Sequence, residues 1–357
     1  MLDNPSLLLA RSFDLDGGDA LASHQNILVA NFSEDKYCLT LANSFDDKQF
    51  TAFTHNFAAF QSLKNAPDNL NVVCNHQFET KSGSGSKAEF DCVVIYFPKS
   101  KAEFEFLINN LFNHVKADAP IYVVGDNKGG VKTCEKMLKT FCSISKKVDA
   151  AKHCALYLTT LIEPSKPFVF EDWYKNYPIE INGVELTVYT LPGVFSHGEL
   201  DMGTRLLLEN IQKTKANILD FGCGAGLIGA YLSKTDENVT VTGLDVSALA
   251  IESTRKTYQA NGVDGKVLLS NGLSEVKATY DQVYSNPPFH SGVKTNYAIT
   301  ELFLNTVKEY ICPRGSLTLV ANSFLKYQPL LEKHFGRFDT LSKNRRFNVY
   351  HATKGRK

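Results

Sequence analysis

Residues 217–226 read Asn-Ile-Leu-Asp-Phe-Gly-Cys-Gly-Ala-Gly, and this stretch decides the fold. The apolar run at 217–221 predicts a strand, and residues 227–234 predict the helix that follows. Glycines between a strand and a helix let the backbone adopt positive φ angles and approach a ligand closely. An open α/β sheet binds its ligand at such a turn, so the segment predicts an α/β fold and the place of its ligand site.

Strand and helix patterns go on alternating through the second half of the chain, as in a parallel sheet covered by helices. Further strands are predicted at 239–245, 266–269, 280–285 and 315–320, and a closing antiparallel strand at 346–351. Helices are predicted at about 247–261 and at 299–310. We therefore predict a mostly parallel, twisted sheet with helices on both faces.

The first half of the chain repeats part of this arrangement. Residues 26–31 parallel 217–222, and residues 90–98 parallel 280–288 as an equivalent strand and its exit. The first half lacks the glycines, the acid that follows the first strand and the motif at 286–289. We predict a duplication whose first copy keeps the architecture and has lost the chemistry. Chance similarity between two α/β halves is the alternative.

Composition also marks the predicted domain boundaries. Residues 163–167 read Glu-Pro-Ser-Lys-Pro, which is typical of a linker. Asn182-Gly183 stands between two β-rich runs and predicts a hairpin. We predict a degenerate domain at 1–163, a linker and hairpin at 164–190, and a catalytic domain at 191–357.

The composition of the whole chain excludes several classes of protein. Lysine plus arginine and aspartate plus glutamate both number 38, so no overall field attracts nucleic acid, and RNA binding requires a local patch. The eight cysteines form no C-x-x-C pair and no zinc-finger spacing, which predicts reduced thiols and no metal site. No signal-peptide pattern opens the chain, and no apolar run reaches the roughly 20 residues that span a bilayer. We predict a cytoplasmic protein without membrane partners and, given the internal duplication, a monomer.

The glycine loop allows two interpretations. Residues 224–229 satisfy G-x-G-x-x-G, and Asp245 stands near the acid of the dinucleotide fingerprint, so a nicotinamide-dependent oxidoreductase stays open. Asp220 favours a cationic cofactor such as S-adenosylmethionine, because a carboxylate beside a pyrophosphate costs electrostatic energy. Asp245 can accept hydrogen bonds from both ribose hydroxyls. Asn271, after the third strand, can reach an adenine edge, with a simple turn residue as the alternative.

The tetrapeptide Asn286-Pro287-Pro288-Phe289 ends the strand predicted at 280–285. Two prolines cannot continue a strand ladder or enter a helix interior, so they fix a rigid turn. The turn projects the Asn286 amide and the Pro287 carbonyl beside an aromatic ring. Such a pocket can receive a planar, amine-bearing group such as a nucleobase, although an ordinary strand-ending turn is the alternative interpretation.

These motifs follow one another in an order that resembles a known family. The second half is similar to S-adenosylmethionine-dependent methyltransferases, and among them to ribosomal RNA guanine-N2 methyltransferases of the RsmC type, at residues 191–196, 200–201, 206–208, 220–226, 245–248, 260–263, 285–290 and 320–325. The resemblance implies two tandem Rossmann-like methyltransferase domains, the N-terminal one degenerate and assisting folding and RNA binding. It also implies methylation of the exocyclic N2 amine of a guanine in 16S ribosomal RNA, with S-adenosylhomocysteine as the by-product.

The residues and the resemblance together define a predicted site. The predicted catalytic residues are Asn286, Pro287 and Phe289, with the Phe289 ring stacked on the base. The predicted cofactor-binding residues are Asp220, Gly222, Gly224, Gly226, Asp245, Val246 and Asn271. The partner is 16S ribosomal RNA or the small ribosomal subunit, and its phosphates are predicted to contact Lys343, Arg345 and Arg346. Methylation of adenine N6 or of a protein glutamine through the same pocket stays an alternative, as does a non-catalytic RNA-binding factor.

Overall fold

The computed structural model describes residues 2–15, 19–79, 89–163, 167–211, 217–287 and 293–355, with the backbone alone at 14, 15, 19 and 293–299. The chain forms two compact units, Met1–Trp173 and Tyr174–Lys357. All eight cysteines are free. Within the described ranges, no cluster of three or more His, Cys, Asp or Glu side chains could hold a metal ion. No helix in those ranges is both long enough and apolar enough to cross a lipid bilayer.

The first unit is built on one seven-stranded sheet. Its strands are β1 (Asn26–Ala30), β2 (Gln49–Thr54), β3 (Leu70–Cys74), β4 (Cys92–Tyr96), β5 (Pro120–Asp126), β6 (Lys146–Ala151) and β7 (Cys154–Thr160). Its helices are α1 (Asn4–Leu15), α2 (Asp19–Ala22), α3 (Tyr37–Ser44), α4 (Phe57–Ser62), α5 (Lys101–Leu111) and α6 (Cys134–Met137). The strand order is β3-β2-β1-β4-β5-β7-β6, and β7 runs antiparallel to both of its neighbours.

The second unit combines a hairpin with a second seven-stranded sheet. The hairpin strands are β8 (Lys175–Ile181) and β9 (Val184–Thr190). The sheet contains β10 (Asn217–Phe221), β11 (Thr240–Asp245), β12 (Lys266–Leu269), β13 (Tyr280–Ser285), β14 (Ile311–Asn322), β15 (Phe338–Lys343) and β16 (Phe347–Thr353). The helices are α7 (Met202–Glu209), α8 (Leu227–Thr235), α9 (Ala248–Ala260), α10 (Val293–Val307) and α11 (Tyr327–Phe335).

The two sheets have the same topology. The second sheet has the order β12-β11-β10-β13-β14-β16-β15, which is the order of the first sheet strand for strand. A hydrogen bond from the backbone to a side chain recurs as well. The backbone N–H of Asn26 donates to Asp91 Oδ1 (3.0 Å), and the backbone N–H of Asn217 donates to Asp281 Oδ2 (3.1 Å). The predicted α/β class and tandem domains are confirmed, and the shared topology supports the duplication.

Some elements differ from the sequence-based prediction. The helix predicted at 299–310 begins earlier, at Val293, and the strand predicted at 315–320 extends over Ile311–Asn322. Strand β15 was not predicted, because its sequence Phe-Asp-Thr-Leu-Ser-Lys is largely polar. Strand β15 lies at the edge of its sheet. Polar residues are common on such strands, because they keep the open edge from pairing with another chain.

The hairpin packs on the second sheet's helices. Its turn at Asn182-Gly183 has positive φ angles at both residues, +50° and +77°, as predicted for a two-residue turn. The edge of β9 that does not pair with β8 donates hydrogen bonds to side chains of α9 and of Asn261, which follows α9. The bonds, each 3.0 Å long, are Thr187 N to Asn261 Oδ1, Tyr189 N to Thr257 Oγ1 and Leu191 N, just after β9, to Ser253 Oγ. We propose that the hairpin belongs to the second domain rather than to a linker.

Candidate active site

The carboxyl ends of β10, β11, β12 and β13 lie at one edge of the second sheet. The strand order reverses between β10 and β13, and ligands of open α/β sheets bind at this point. The Ser285 hydroxyl donates to the Phe221 carbonyl (2.8 Å) and ties the end of β13 to the end of β10. The predicted glycine loop and the predicted Asn-Pro turn therefore begin from adjacent, linked strand ends.

The three glycines of the loop have left-handed backbone conformations. The φ angles of Gly222, Gly224 and Gly226 are +70°, +56° and +74°, a region that other residues rarely adopt. A Cβ atom at Gly224 would meet no atom within 4 Å, whereas one at Gly226 would lie 2.7 Å from Thr254 Cγ2. Gly226 is thus required by packing, and Gly224 borders open space in which a ligand can approach the backbone.

Gly229 completes the G-x-G-x-x-G pattern for a reason of packing alone. A Cβ atom there would lie 2.1 Å from Tyr258 Oη and 2.8 Å from Val241 Cγ2. Since α8 must pass this close to α9 and β11, only glycine fits without a shift of its neighbours. Close packing explains the third glycine of this pattern whichever cofactor the loop holds.

Asp220 is a buried residue of β10, just before the glycine loop. Its side chain is fully buried, one carboxyl oxygen accepts a hydrogen bond from the Gly229 amide (3.0 Å), and Oδ1 has no partner among the described residues. Burial is the main cause that raises the pKa of Asp220 to about 7; the Gly229 hydrogen bond opposes this shift and the nearby Asp245 charge adds to it. The carboxyl has no exposed surface, and its bond to Gly229 ties the end of β10 to the first turn of α8 across the glycine loop. A cation held at the loop would favour its ionised form.

Asp245 holds the glycine loop to the end of β11. Its Oδ2 accepts a hydrogen bond from the Gly224 amide (3.0 Å) and its Oδ1 accepts one from the Ser247 amide (2.9 Å). Loss of hydration raises the pKa of Asp245, and the backbone donors oppose this shift. A carboxylate has about four acceptor positions, more than its backbone donors occupy, so Asp245 can still accept a hydrogen bond from a hydroxyl group of a ligand.

The other two predicted cofactor residues lie at the same edge. Val246 follows Asp245 directly and is partly exposed, and Asn271 is exposed in the loop after β12. The Ser270 amide donates to the Asp245 carbonyl (2.9 Å), which keeps this loop beside the end of β11. These residues fit a nucleoside-containing cofactor, because the space beside the Gly224 backbone is open and Asp245 can accept further hydrogen bonds.

Asn286 has its amide group held in one orientation. Its Nδ2 donates to Asp201 Oδ2 (3.0 Å) and to Thr204 Oγ1 (2.9 Å). An ionised carboxylate only accepts hydrogen bonds, so the NH₂ group must face Asp201 and the amide oxygen must face the other way. Asn286 is partly exposed and Pro287 is buried. The site therefore presents an oxygen acceptor, rather than an NH₂ donor, to an incoming group.

Asp201 and Thr204 are functional candidates that sequence reasoning missed. Asp201 is the N-cap of α7, where its Oδ2 also accepts a hydrogen bond from the Thr204 amide (2.8 Å). An aspartate before a helix is a recognisable N-cap signal, but its bond to a side chain 85 residues away is visible only in the structure. One residue thus starts a helix and orients the Asn286 amide.

The remaining predicted residues have different positions. Phe289, like Pro288, lies outside the described residues. Lys343, Arg345 and Arg346 are exposed around the turn between β15 and β16. Within the described part of the chain these three side chains form no ion pair, so their charges are open to an external anion.

The equivalent positions in the first unit carry no such chemistry. Strand pairing aligns Ala30 of β1 with Phe221 of β10. Ala30 lies opposite Phe53 and Ile95 in its sheet, and Phe221 lies opposite Leu244 and Ser285 in the other. The counterparts of Asp220, Asp245 and Asn286 are then Val29, Thr54 and Tyr96, and all three are buried. The Tyr96 hydroxyl is hydrogen-bonded to Ser6 (2.8 Å). The first unit keeps the strand ends and has neither a carboxylate nor a side-chain amide at these three positions.

Comparison with known proteins identifies the family of the chain. The Methyltransferase small domain family matches residues 185–351, and the Methyltransferase small domain N-terminal family matches residues 19–177. Ribosomal RNA small subunit methyltransferase C of Pseudoalteromonas translucida (strain TAC 125) is 41% identical over 98% of this chain and 99% of its own length. The protein of the same name from Vibrio parahaemolyticus is 36% identical, with 98% of each chain covered.

A solved structure shows the same fold over most of the chain. It is the T. thermophilus 16S rRNA N2 G1207 methyltransferase (RsmC) in complex with AdoMet and guanosine. The TM-score is 0.80 at 24% identity, and the match covers 92% of this chain and 88% of that chain. The two-unit architecture is therefore shared with an experimentally determined protein.

Proposed function

Because the chain belongs to the ribosomal RNA small subunit methyltransferase C family, we propose that Asn286 and Pro287 form the acceptor pocket of this enzyme. It transfers a methyl group from S-adenosylmethionine to the exocyclic N2 amine of a guanine in 16S ribosomal RNA. The relatives are methyltransferases by name, which rules out the oxidoreductase and the non-catalytic factor left open by the sequence. Their names specify ribosomal RNA, which favours a nucleobase over the protein glutamine alternative.

We propose that the donor is held at the glycine loop. S-adenosylmethionine supplies an electrophilic methyl group on a sulfonium. Gly222, Gly224 and Gly226 would let the backbone approach it, and Asp245 would accept from its ribose hydroxyls. Val246 and Asn271 would line the same edge, and Asp220 ties the end of β10 to α8 across the loop.

The orientation of the Asn286 amide is the observation that carries the proposal. The lone pair of an exocyclic guanine amine is delocalised into the ring, so the amine is a poor nucleophile. Hydrogen bonds from its two N–H groups to Asn286 Oδ1 and the Pro287 carbonyl would favour a tetrahedral nitrogen with a localised lone pair. As the nitrogen becomes cationic, both oxygens would stabilise the charge, and the extra proton would leave to water after transfer.

Positioning supplies much of the rate in this proposal. Fixing two reacting groups in the right geometry can lower a barrier by about 7–11 kcal/mol. The Asn286 amide is fixed by Asp201 and Thr204, and the Ser285 bond to Phe221 fixes the strand end before it. A base in a helix must first be extruded, which costs a few kcal/mol, and we propose that Phe289 offsets part of this cost by stacking.

We propose that the RNA backbone lies on the turn between β15 and β16. Lys343, Arg345 and Arg346 would contact phosphates, which position an RNA strand without specifying its sequence. The chain is neutral overall, so this local charge is what attracts RNA. We further propose that the enzyme acts as a monomer in the cytoplasm and has no membrane partner.

A change at Asp201 tests the oriented amide. Serine also caps helices well, but its hydroxyl is too short to replace the carboxylate at Asn286. We expect Asp201→Ser to lower kcat by about 10- to 100-fold, because a hydrogen bond to a charged group contributes about 1.5–3 kcal/mol. S-adenosylmethionine affinity, measured by calorimetry, and the unfolding temperature should change little.

The matched control is Asp201→Asn. Asparagine keeps an oxygen that can face the Asn286 NH₂ group and also caps the helix, so the loss of kcat should be smaller than in Asp201→Ser. Wild-type kcat in Asp201→Ser would show that the amide needs no such restraint, and this would contradict the proposed pocket.

A further inference from the structure

Phe324 is an aromatic side chain left in solvent beside the site. It lies two residues after the end of β14 and is 70% exposed. The next residue, Leu325, is buried in the core. A single exposed apolar side chain is ordinary on a protein surface, so the neighbours of Phe324 decide whether it belongs to a binding site.

The backbone places Phe324 next to two arginines. The Ser323 amide donates to the Arg346 carbonyl (2.7 Å), and the Ser323 hydroxyl donates to the Arg345 carbonyl (2.8 Å). Asn322 and Phe347 are paired in the ladder between β14 and β16. The loop after β14 and the turn before β16 are therefore bound together, with a phenyl ring on one and two exposed guanidinium groups on the other.

This surface continues the active-site edge. Strand β14 pairs in parallel with β13, with Ser285 opposite Leu319, and continues to Asn322, so Phe324 follows the strand that passes beside the Asn286 turn. The glycine loop lies on the other side of β13, after β10. Along the edge, the order is the donor loop, the acceptor turn, and then Phe324 with the arginines.

We propose that Phe324, Arg345 and Arg346 form a flanking-nucleotide site. The Phe324 ring stacks on an unpaired base next to the target guanine, and the two arginines bind the phosphates of the same strand. This inference rests on the proposed function and adds to it a place for the RNA beyond the methylated base. Stacking on an aromatic side chain tolerates any base, so the site positions the strand and does not specify its sequence.

The charge of the surface favours RNA over a protein partner. Arg345 and Arg346 are both exposed, and neither forms an ion pair with another described residue. An aromatic ring beside unneutralised arginines matches the chemistry of a single-stranded nucleic acid, which combines base faces with phosphates. A purely apolar protein segment would leave these two charges desolvated and unpaired.

The test uses the full chain and a short single-stranded oligoribonucleotide with one central guanine. Stacking is worth about 1–3 kcal/mol per base, so we expect Phe324→Ala to raise the Kd for this probe by about 5- to 150-fold. Phe324→Trp should keep wild-type affinity, because indole also stacks. The matched control is Leu302→Ala, since Leu302 is equally exposed (67%) on α10, and it should bind like the wild type.

Each outcome separates this inference from the proposed function. If the wild type methylates small-subunit RNA and Phe324→Ala binds the probe as tightly as Leu302→Ala does, the flanking-nucleotide site is wrong and the proposed function stands. If Phe324→Ala binds the probe normally and fails only on assembled subunits, the surface contacts a ribosomal protein, which also overturns the inference. If the wild type transfers no methyl group to small-subunit RNA, the proposed function itself fails.

Discussion

Replacing Asn286 by alanine should lower kcat for methyl transfer by about 10²- to 10³-fold, the usual cost of removing one group that stabilises charge in a transition state. The variant loses Asn286 Oδ1, which points away from Asp201 and Thr204 because both of them bind the Nδ2 atom of the same amide. The glycine loop and Asp245 are untouched, so S-adenosylmethionine should bind with wild-type affinity. Single-turnover transfer of labelled methyl to small-subunit RNA, with calorimetry for donor binding, measures both quantities.

Two further variants sharpen this prediction. Asn286→Asp has nearly the same shape, but it brings a second carboxylate to about the 3.0 Å that now separates Asn286 Nδ2 from Asp201 Oδ2. Repulsion between the two charges should turn the side chain out of position and remove activity as well. The matched control is Tyr96→Phe at the equivalent position of the first domain, which should keep full activity. Full kcat in Asn286→Ala would contradict the proposed catalytic role.

Replacing Asp245 by alanine should abolish donor binding in the range where the wild type is saturated. The carboxylate accepts hydrogen bonds from the Gly224 and Ser247 amides, so its loss frees the loop as well as removing acceptors for the ribose. Two hydrogen bonds to a charged group, at about 1.5–3 kcal/mol each, correspond to a rise in Kd of roughly 10²- to 10⁴-fold. Calorimetric titration with S-adenosylmethionine measures this change.

The internal duplication provides the control for this variant. Thr54 is the counterpart of Asp245. Thr54 Oγ1 accepts a hydrogen bond from the backbone N–H of Asn56 (3.0 Å), and Asp245 Oδ1 likewise accepts one from the backbone N–H of Ser247. Thr54→Val removes that bond in the first domain and should leave donor affinity unchanged. Unaltered binding in Asp245→Ala, or a loss of binding in Thr54→Val, would place the donor elsewhere.

Local signals allowed most of the second sheet to be predicted. The strands Asn217–Phe221, Lys266–Leu269 and Tyr280–Ser285 have the predicted bounds, because apolar runs between turn residues are a strong signal for buried parallel strands. Strand β15 was missed because a polar edge strand has no such run. The early start of α10 was missed because residues 293–298 include Lys-Thr-Asn and show no apolar face.

The site was predictable where chemistry and position coincide in sequence. A glycine loop after one strand and an Asn-Pro turn after another must meet at the same sheet edge, so Gly224, Asp245 and Asn286 could be proposed together. Asp201 could not, because its contact with Asn286 joins the start of a helix to a strand end 85 residues later. Burial of Asp220 also follows from packing, which the sequence alone does not reveal.

The two domains show which parts of the fold tolerate loss of function. The Asp91 and Asp281 bonds to the first strand of each sheet are kept in both copies, since they stabilise architecture. The acids and the asparagine of the site are replaced by buried Val29, Thr54 and Tyr96 in the first copy. The proposed active site is thus confined to one copy, while the sheet topology is retained in both.

The most direct measurement is the identity of the methylated nucleoside. Small-subunit RNA from a strain lacking the protein is incubated with the purified enzyme and labelled S-adenosylmethionine, then digested and separated by liquid chromatography with mass detection. The account predicts that the label is found in N2-methylguanosine at one nucleotide, and that Asn286→Ala leaves this nucleotide unmodified. Label in N6-methyladenosine, or in protein when intact subunits are the substrate, would contradict it.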